Sequence, residues 1–179
     1  KHGTEKRIAE NLLTIGILEN QNERPQAARE AFEESLKLFD GEAGTDESVS
    51  YALGGLALAE LRMGDVDAAR SSAMESLRVA ERSAGPQSEI AAQAWQVIAE
   101  LDSRVGEDAQ AVAAASRALA IIRGIYPEGH NEIARGIGFL ANTHVHEGDY
   151  ARAEPLFREM LAIRLRTLDV TISVTMTTA

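Results

Sequence analysis

Three glycines, Gly64, Gly106 and Gly148, stand 42 residues apart, each inside a similar turn: MGDV at 63–66, VGED at 105–108 and EGDY at 147–150. A fixed period of this length marks a stacked array, in which each copy is one supersecondary unit that buries its apolar face on its neighbours. A worn first copy, NERP at 22–25, fits with Glu23 in the glycine's place, 41 residues before Gly64. The register holds on both sides of the turn. Seven residues before it comes a small residue, Gly16, Ala57, Ala99 or Ala141, preceded by Ile15, Leu56, Ile98 or Leu140, with Leu12, Leu53, Trp95 and Ile137 three positions earlier. Five residues after it comes a second small series, Ala28, Ala69, Ala111 and Ala153, followed eight residues on by Leu36, Leu77, Leu119 and Leu161.

Apolar spacings of three and four mark the buried stripe of an amphipathic helix on each side of the turn. They predict helices over about 5–20, 25–39, 47–62, 67–83, 89–104, 109–124, 131–146 and 151–167. The small residues let the two helices of a pair cross closely. The turn glycine is expected in a left-handed C-cap, and Asp65 or Asp149 beside it caps the following helix. In GDYARAEPLFREMLAIR, residues 148–164, Ala153, Phe157 and Leu161 are expected to face inward.

Composition agrees with helices over sheets: 45% of residues are hydrophobic, only 4% are aromatic, and there are four prolines. The expected fold class is all-α, an α-α superhelix or solenoid of four helix-turn-helix repeats at about 5–40, 47–83, 89–124 and 131–168. The final stretch, DVTISVTMTTA at 169–179, departs from the repeat. Its alternation of Val, Ile and Met with Thr favours extended structure. An array end leaves an apolar face uncovered. This tail could cover that face, join another chain or stay loose, so a homo-oligomer through the C-terminal end is one expectation.

Twenty-eight acidic against 18 basic residues give a formal charge of −10, which argues against a general affinity for nucleic acid or anionic membrane. No apolar run approaches the roughly 20 residues that span a bilayer. Without cysteine, disulfides and thiolate metal sites are excluded, and a reducing, cytoplasmic setting is compatible. Lys1 is not followed by a signal-like segment, so the chain reads as part of a longer protein.

Motifs for chemistry fail on geometry. In HVHE at 144–147, two histidines two apart point in nearly opposite directions on a helix and cannot share an ion, so His144 is expected to pack inside the helix pair. GIG at 136–138 lies within a helix with no strand before it, unlike a phosphate loop. No nucleophile has a base at a useful spacing. The expectation is a binding protein with no cofactor, no metal and no catalytic residues, hence not an enzyme.

The repeat resembles the tetratricopeptide repeat, and its period looks like the kinesin-light-chain type. HNEIARGIGFLANTHVHEGDYARAEPLFREMLAIRLRTL, residues 130–168, is similar to that subfamily's consensus almost throughout. Ala73 and Ala115 depart from it, standing where Phe32 and Phe157 are large. Bacterial arrays of this kind are often joined to a kinase or a transcription regulator, which makes a regulatory ligand-sensing domain the alternative function. The resemblance implies that the first helix of each pair lines the concave face of a right-handed superhelix, which binds a protein or peptide. Opposite the buried stripe lie Glu10, Leu13, Thr14, Ile17 and Gln21 in the first copy, and Tyr51, Gly54, Gly55, Leu58 and Arg62 in the second. The third copy offers Gln93, Gln96, Val97, Glu100 and Arg104, and the fourth Arg135, Gly138, Phe139, Asn142 and His146. A rail of Gln21, Arg62, Arg104 and His146 would present donors at roughly 10 Å steps to an acidic peptide, unless Arg62 and Arg104 serve to cap helix ends. Leu13, Ile17, Leu58 and Val97, with Tyr51 and Phe139, form an apolar strip. Asn142 is the type of residue with which related repeats grip a ligand backbone, although no matched copy has one.

Overall fold

The computed structural model describes residues 2–40 and 44–177, with side chains placed over 3–40 and 44–166. Its described residues form eight helices and no strand: α1 (His2–Gln21), α2 (Pro25–Phe39), α3 (Asp46–Arg62), α4 (Val66–Ala84), α5 (Glu89–Arg104), α6 (Asp108–Ile125), α7 (Asn131–Glu147) and α8 (Tyr150–Thr177). Each helix packs on its sequence neighbours, and α1, α3, α5 and α7 also touch in series. The even helices do not touch one another among the described residues. The odd helices therefore form the inner layer of an all-α solenoid and the even ones the outer layer.

The turns explain why the period is so regular. Gly64, Gly106 and Gly148 have φ of 84°, 80° and 82°, and Glu23 joins them at 58°. In every copy the next residue's amide doubles back five positions, Arg24 to Glu19, Asp65 to Glu60, Glu107 to Asp102 and Asp149 to His144, at 2.8–3.0 Å. This is the Schellman closure of a helix, which needs a left-handed residue and therefore favours glycine. Asp65 and Asp149 accept from the amides of Ala68 and Arg152 at 3.2 and 3.0 Å, starting the second helix as capping residues should. Because a left-handed conformation costs a non-glycine residue about 1 kcal/mol, Glu23→Gly should raise stability by up to that amount. Thermal unfolding followed by circular dichroism checks this, with a rise of about 2–4 °C expected.

All eight members of the two small-residue series are buried, so the helices of a pair approach through them. The large residues show how neighbouring repeats fit. The Phe32 ring on α2 is fully buried and lies against Gly16 of α1 and Gly55 of α3. A Cβ on Gly16 would come 2.6 Å from the ring, and one on Gly55 would overlap it. One repeat on, the positions of Phe32 and Gly55 hold Ala73 and Val97, and two repeats on they hold Ala115 and Phe139. Val97 and Phe139 pack against the central cluster containing both alanines. Bulk absent from the even helix returns on the following odd helix, which keeps the step between repeats filled.

A second exchange is polar. The carbonyls that close the four turns belong to Glu19, Glu60, Asp102 and His144, a row of polar residues whose last three members are buried. Arg70 of α4 donates to Asp102 at 3.0 Å and to Glu107 at 2.9 Å, tying the second repeat to the third. At the next step Val112 replaces the arginine and His144 the acid. His144 bonds Glu147 at 3.1 Å instead. Burial pushes the carboxyls of Asp102 and Glu60 above their ordinary range, opposed by Arg70 at the first and by the Ser72 hydroxyl at the second.

Two expectations are corrected here. Leu161 and Ile15 lie exposed rather than inward, although their matches Leu77, Leu119, Leu56, Ile98 and Leu140 are buried. At the internal positions the adjacent repeat covers these side chains. The tail is not extended: the backbone of α8 remains helical to Thr177. Extending a helix adds a hydrogen bond for each residue fixed, whereas a strand needs a partner to pair with. Residues 178 and 179 lie outside the described part.

Candidate binding groove

The inner layer carries two adjoining cavities. The larger, about 460 Å³, spans α3, α5 and α7 and is lined by Tyr51, Gly54, Gln93, Gln96, Arg135 and Phe139 among others. The smaller, about 350 Å³, lies between the last turns of α5 and α7 and includes Arg104, Asn142 and His146. Glu100 and Phe139 belong to both walls. Glycine at 54 opens the floor of the larger cavity, since a Cβ there would meet Val97 at 3.3 Å.

The cavities combine amide side chains with apolar walls. Gln93, Gln96 and Asn142 can each donate to and accept from a peptide backbone, while Ile90, Val97 and Phe139 offer surface to an apolar side chain. Burial raises the Tyr51 phenol above its ordinary range, and a hydrogen bond from Gln93 works against that shift. Arg104 is held by Glu100 at 3.2 Å, and Arg135 is paired with Glu132 one turn away. Both arginines remain exposed, so these pairs are weak enough to exchange for a ligand carboxylate.

Seven of the nine residues expected from sequence, Tyr51, Gln96, Arg104, Arg135, Phe139, Asn142 and His146, line these two cavities. Leu58 and Arg62 line neither. Arg62 reaches back from the end of α3 to donate to the Asn20 carbonyl at 3.2 Å, which completes the C-terminus of α1. Two of the glycines placed on the open face turn out to serve packing. Gly55 receives Phe32, and a Cβ on Gly138 would lie 2.7 Å from the Met160 sulfur of α8. Leu13 packs into a core cluster as well. Ile90 escaped notice, although its spacing of three and seven from Gln93 and Val97 puts it on their face.

His144, Glu147 and Asp149 bring three ligand-type atoms within 4.8 Å of one another. Their hydrogen bonds describe a capped helix junction: His144 to Glu147, and Asp149 to both the amide and the guanidinium of Arg152. No helix of the described residues is long and apolar enough to cross a membrane.

Comparison with known proteins agrees with this geometry. Models of the tetratricopeptide repeat match residues 48–124 and 137–170. The chain is a tetratricopeptide-repeat protein. In the solved structure of BtubC (BKLC) from P. vanneervenii the match covers 89% of this chain and 64% of that one, with 23% identity and a TM-score of 0.70. A putative kinesin light chain from Podosopora anserina with nearly identical TPR-like repeats matches over 91% of this chain and 77% of its own, with 18% identity and a TM-score of 0.71. The apo form of RapI matches over 89% of this chain and 43% of that one, at 16% identity and a TM-score of 0.68. No curated protein matches the chain in sequence. Tetratricopeptide repeats generally mediate protein–protein interaction.

Proposed function

We propose that the concave groove holds an extended peptide or protein segment, gripping its backbone with Gln93, Gln96 and Asn142. An apolar side chain enters between Tyr51 and Phe139, and an acidic or terminal carboxylate meets Arg104 and His146. The observation that supports this reading is the pair of cavities joined through Glu100 and Phe139 on the inner helical layer. The function is a binding one, without a cofactor, a metal or a catalytic residue, and its partner is a protein rather than nucleic acid or membrane. An array of immobilised peptides graded in Asp and Glu content tests it. Binding that rises with acidic content and falls at least tenfold in Arg104→Glu, about 1.4 kcal/mol, is the expected outcome. Binding indifferent to both would remove the acidic segment from the account.

A second reading is favoured by length: the chain spans 64% of BtubC and 43% of RapI. The groove would then be the ligand-sensing part of a longer regulator. Small-angle scattering of the peptide complex separates the two, because a sensor changes superhelical dimensions on binding and a rigid holder does not.

A further inference from the structure

The two groove cavities meet at Glu100, whose charge is opposite to that of the arginines beside it. Among the described residues lining either cavity it is the one carboxylate, and it lines both. The register sets it apart as well, since the matched positions hold Ile17, Leu58 and Asn142, none of them charged. On α5 it stands one turn before Arg104 and accepts from that guanidinium at 3.2 Å, with Glu100 33% exposed and Arg104 52%. In the free chain Glu100 therefore holds the place that a ligand carboxylate takes. Arg135, the other guanidinium on these walls, belongs to α7 and has Glu132 for a partner.

A ligand carboxylate that binds Arg104 must share or break this pair. Glu100 is then left without its cation in a wall partly shielded from water, with a second negative charge brought up to it. Like charges repel more strongly there than in open solvent, so a segment that is acidic throughout opposes its own binding at this point. A cation beside Glu100 reverses the sign of that interaction. We infer, on the reading of the groove given above, that the bound segment carries a lysine or arginine between its apolar and its acidic side chain, and that Glu100 selects for it.

The spacing along α5 fits such an order. Val97, Glu100 and Arg104 follow one another three and four residues apart, roughly one helical turn of 5.4 Å at each step. An extended segment presents a side chain to the same side at every second residue, about 6.6 Å along the chain. Lying along α5, it meets these three positions with alternate residues, first apolar, then basic, then acidic. The residues between them face away from α5.

Capped peptides of the pattern Leu-Ser-X-Ser-Asp, in this order and reversed, test the inference by fluorescence anisotropy, with X as Lys, Gln or Glu. Acetylated and amidated ends leave X and Asp as the charged groups. In the better-bound order, the wild type should take the lysine peptide at least about tenfold more tightly than the glutamate peptide. Glu100→Gln should bring the three peptides to within about twofold of one another, and Glu100→Lys should invert the preference. Both variants should keep the helical circular dichroism of the wild type, because the side chain they change lies on the groove wall. A lysine preference that survives Glu100→Gln would overturn the inference while the groove reading stands. So would a wild type that takes the glutamate peptide as readily as the lysine one. Affinities that ignore Arg104→Glu for every peptide would overturn the groove reading itself, and this inference with it.

Discussion

Phe32→Ala should cost about 3–5 kcal/mol of folding stability, the range for removing a fully buried aromatic side chain. The ring fills the space between α1, α2 and α3 and touches positions 16 and 55, which are glycine because it is there. Neither glycine can grow into the gap, so the cavity stays open and the first repeat loses its main apolar tie to the second. Urea unfolding should show this as a lower midpoint. A loss below about 1 kcal/mol would mean that the first repeat is not held through this ring.

Gly55→Val should be nearly as damaging from the opposite direction. Valine helps no helix, and any Cβ at residue 55 overlaps the Phe32 ring, so the cost is about 3 kcal/mol, the upper part of the range for an overfilled core. The next interface suggests the remedy, since its matched pair is Ala73 with Val97. Combined with Phe32→Ala, the valine should enter the space the ring vacates. The double variant should therefore fall short of the summed single losses by about 1–3 kcal/mol, within the range of couplings between residues in contact. Strict additivity would mean that the two positions do not share one space.

That exchange shows where the sequence was readable and where it was not. Helices and turns were legible to within a residue at most boundaries, because closure of each helix needs a left-handed residue and close crossing needs a small one. Both requirements fall on single positions that repeat. Even Glu23 could be placed in the glycine's seat by register alone, and its φ of 58° agrees. The replacement of Phe32 by Ala73 and Ala115 looked like lost bulk, since compensation sits on another helix more than 20 residues away.

The groove was partly legible for a related reason. An odd helix packs against its own even partner, the preceding one and the neighbouring odd helices, so its buried arc is wider than the stripe of strongest apolar residues. Gly55 and Gly138 lie at the edge of that arc, and helical spacing alone put them on the open side. Residues nearer the middle of the open face, Gln96, Phe139 and Asn142, were placed where the cavities are. Exposure of Ile15 and Leu161 was illegible because apolar residues at repeat positions record the interface they suit, whether or not a neighbour is present. The β-branched run after residue 168 misled because strand propensity expresses side-chain packing on a sheet, and the described residues form no sheet to pack on.

The most direct test of the groove is a backbone amide footprint of the chain, by nuclear magnetic resonance, with the strongest peptide from the acidic array. The account predicts shifts gathered on α3, α5 and α7, around Tyr51, Gln93, Gln96, Phe139 and Asn142, and little change along α4 and α6. A footprint centred on the outer layer of even helices would contradict it.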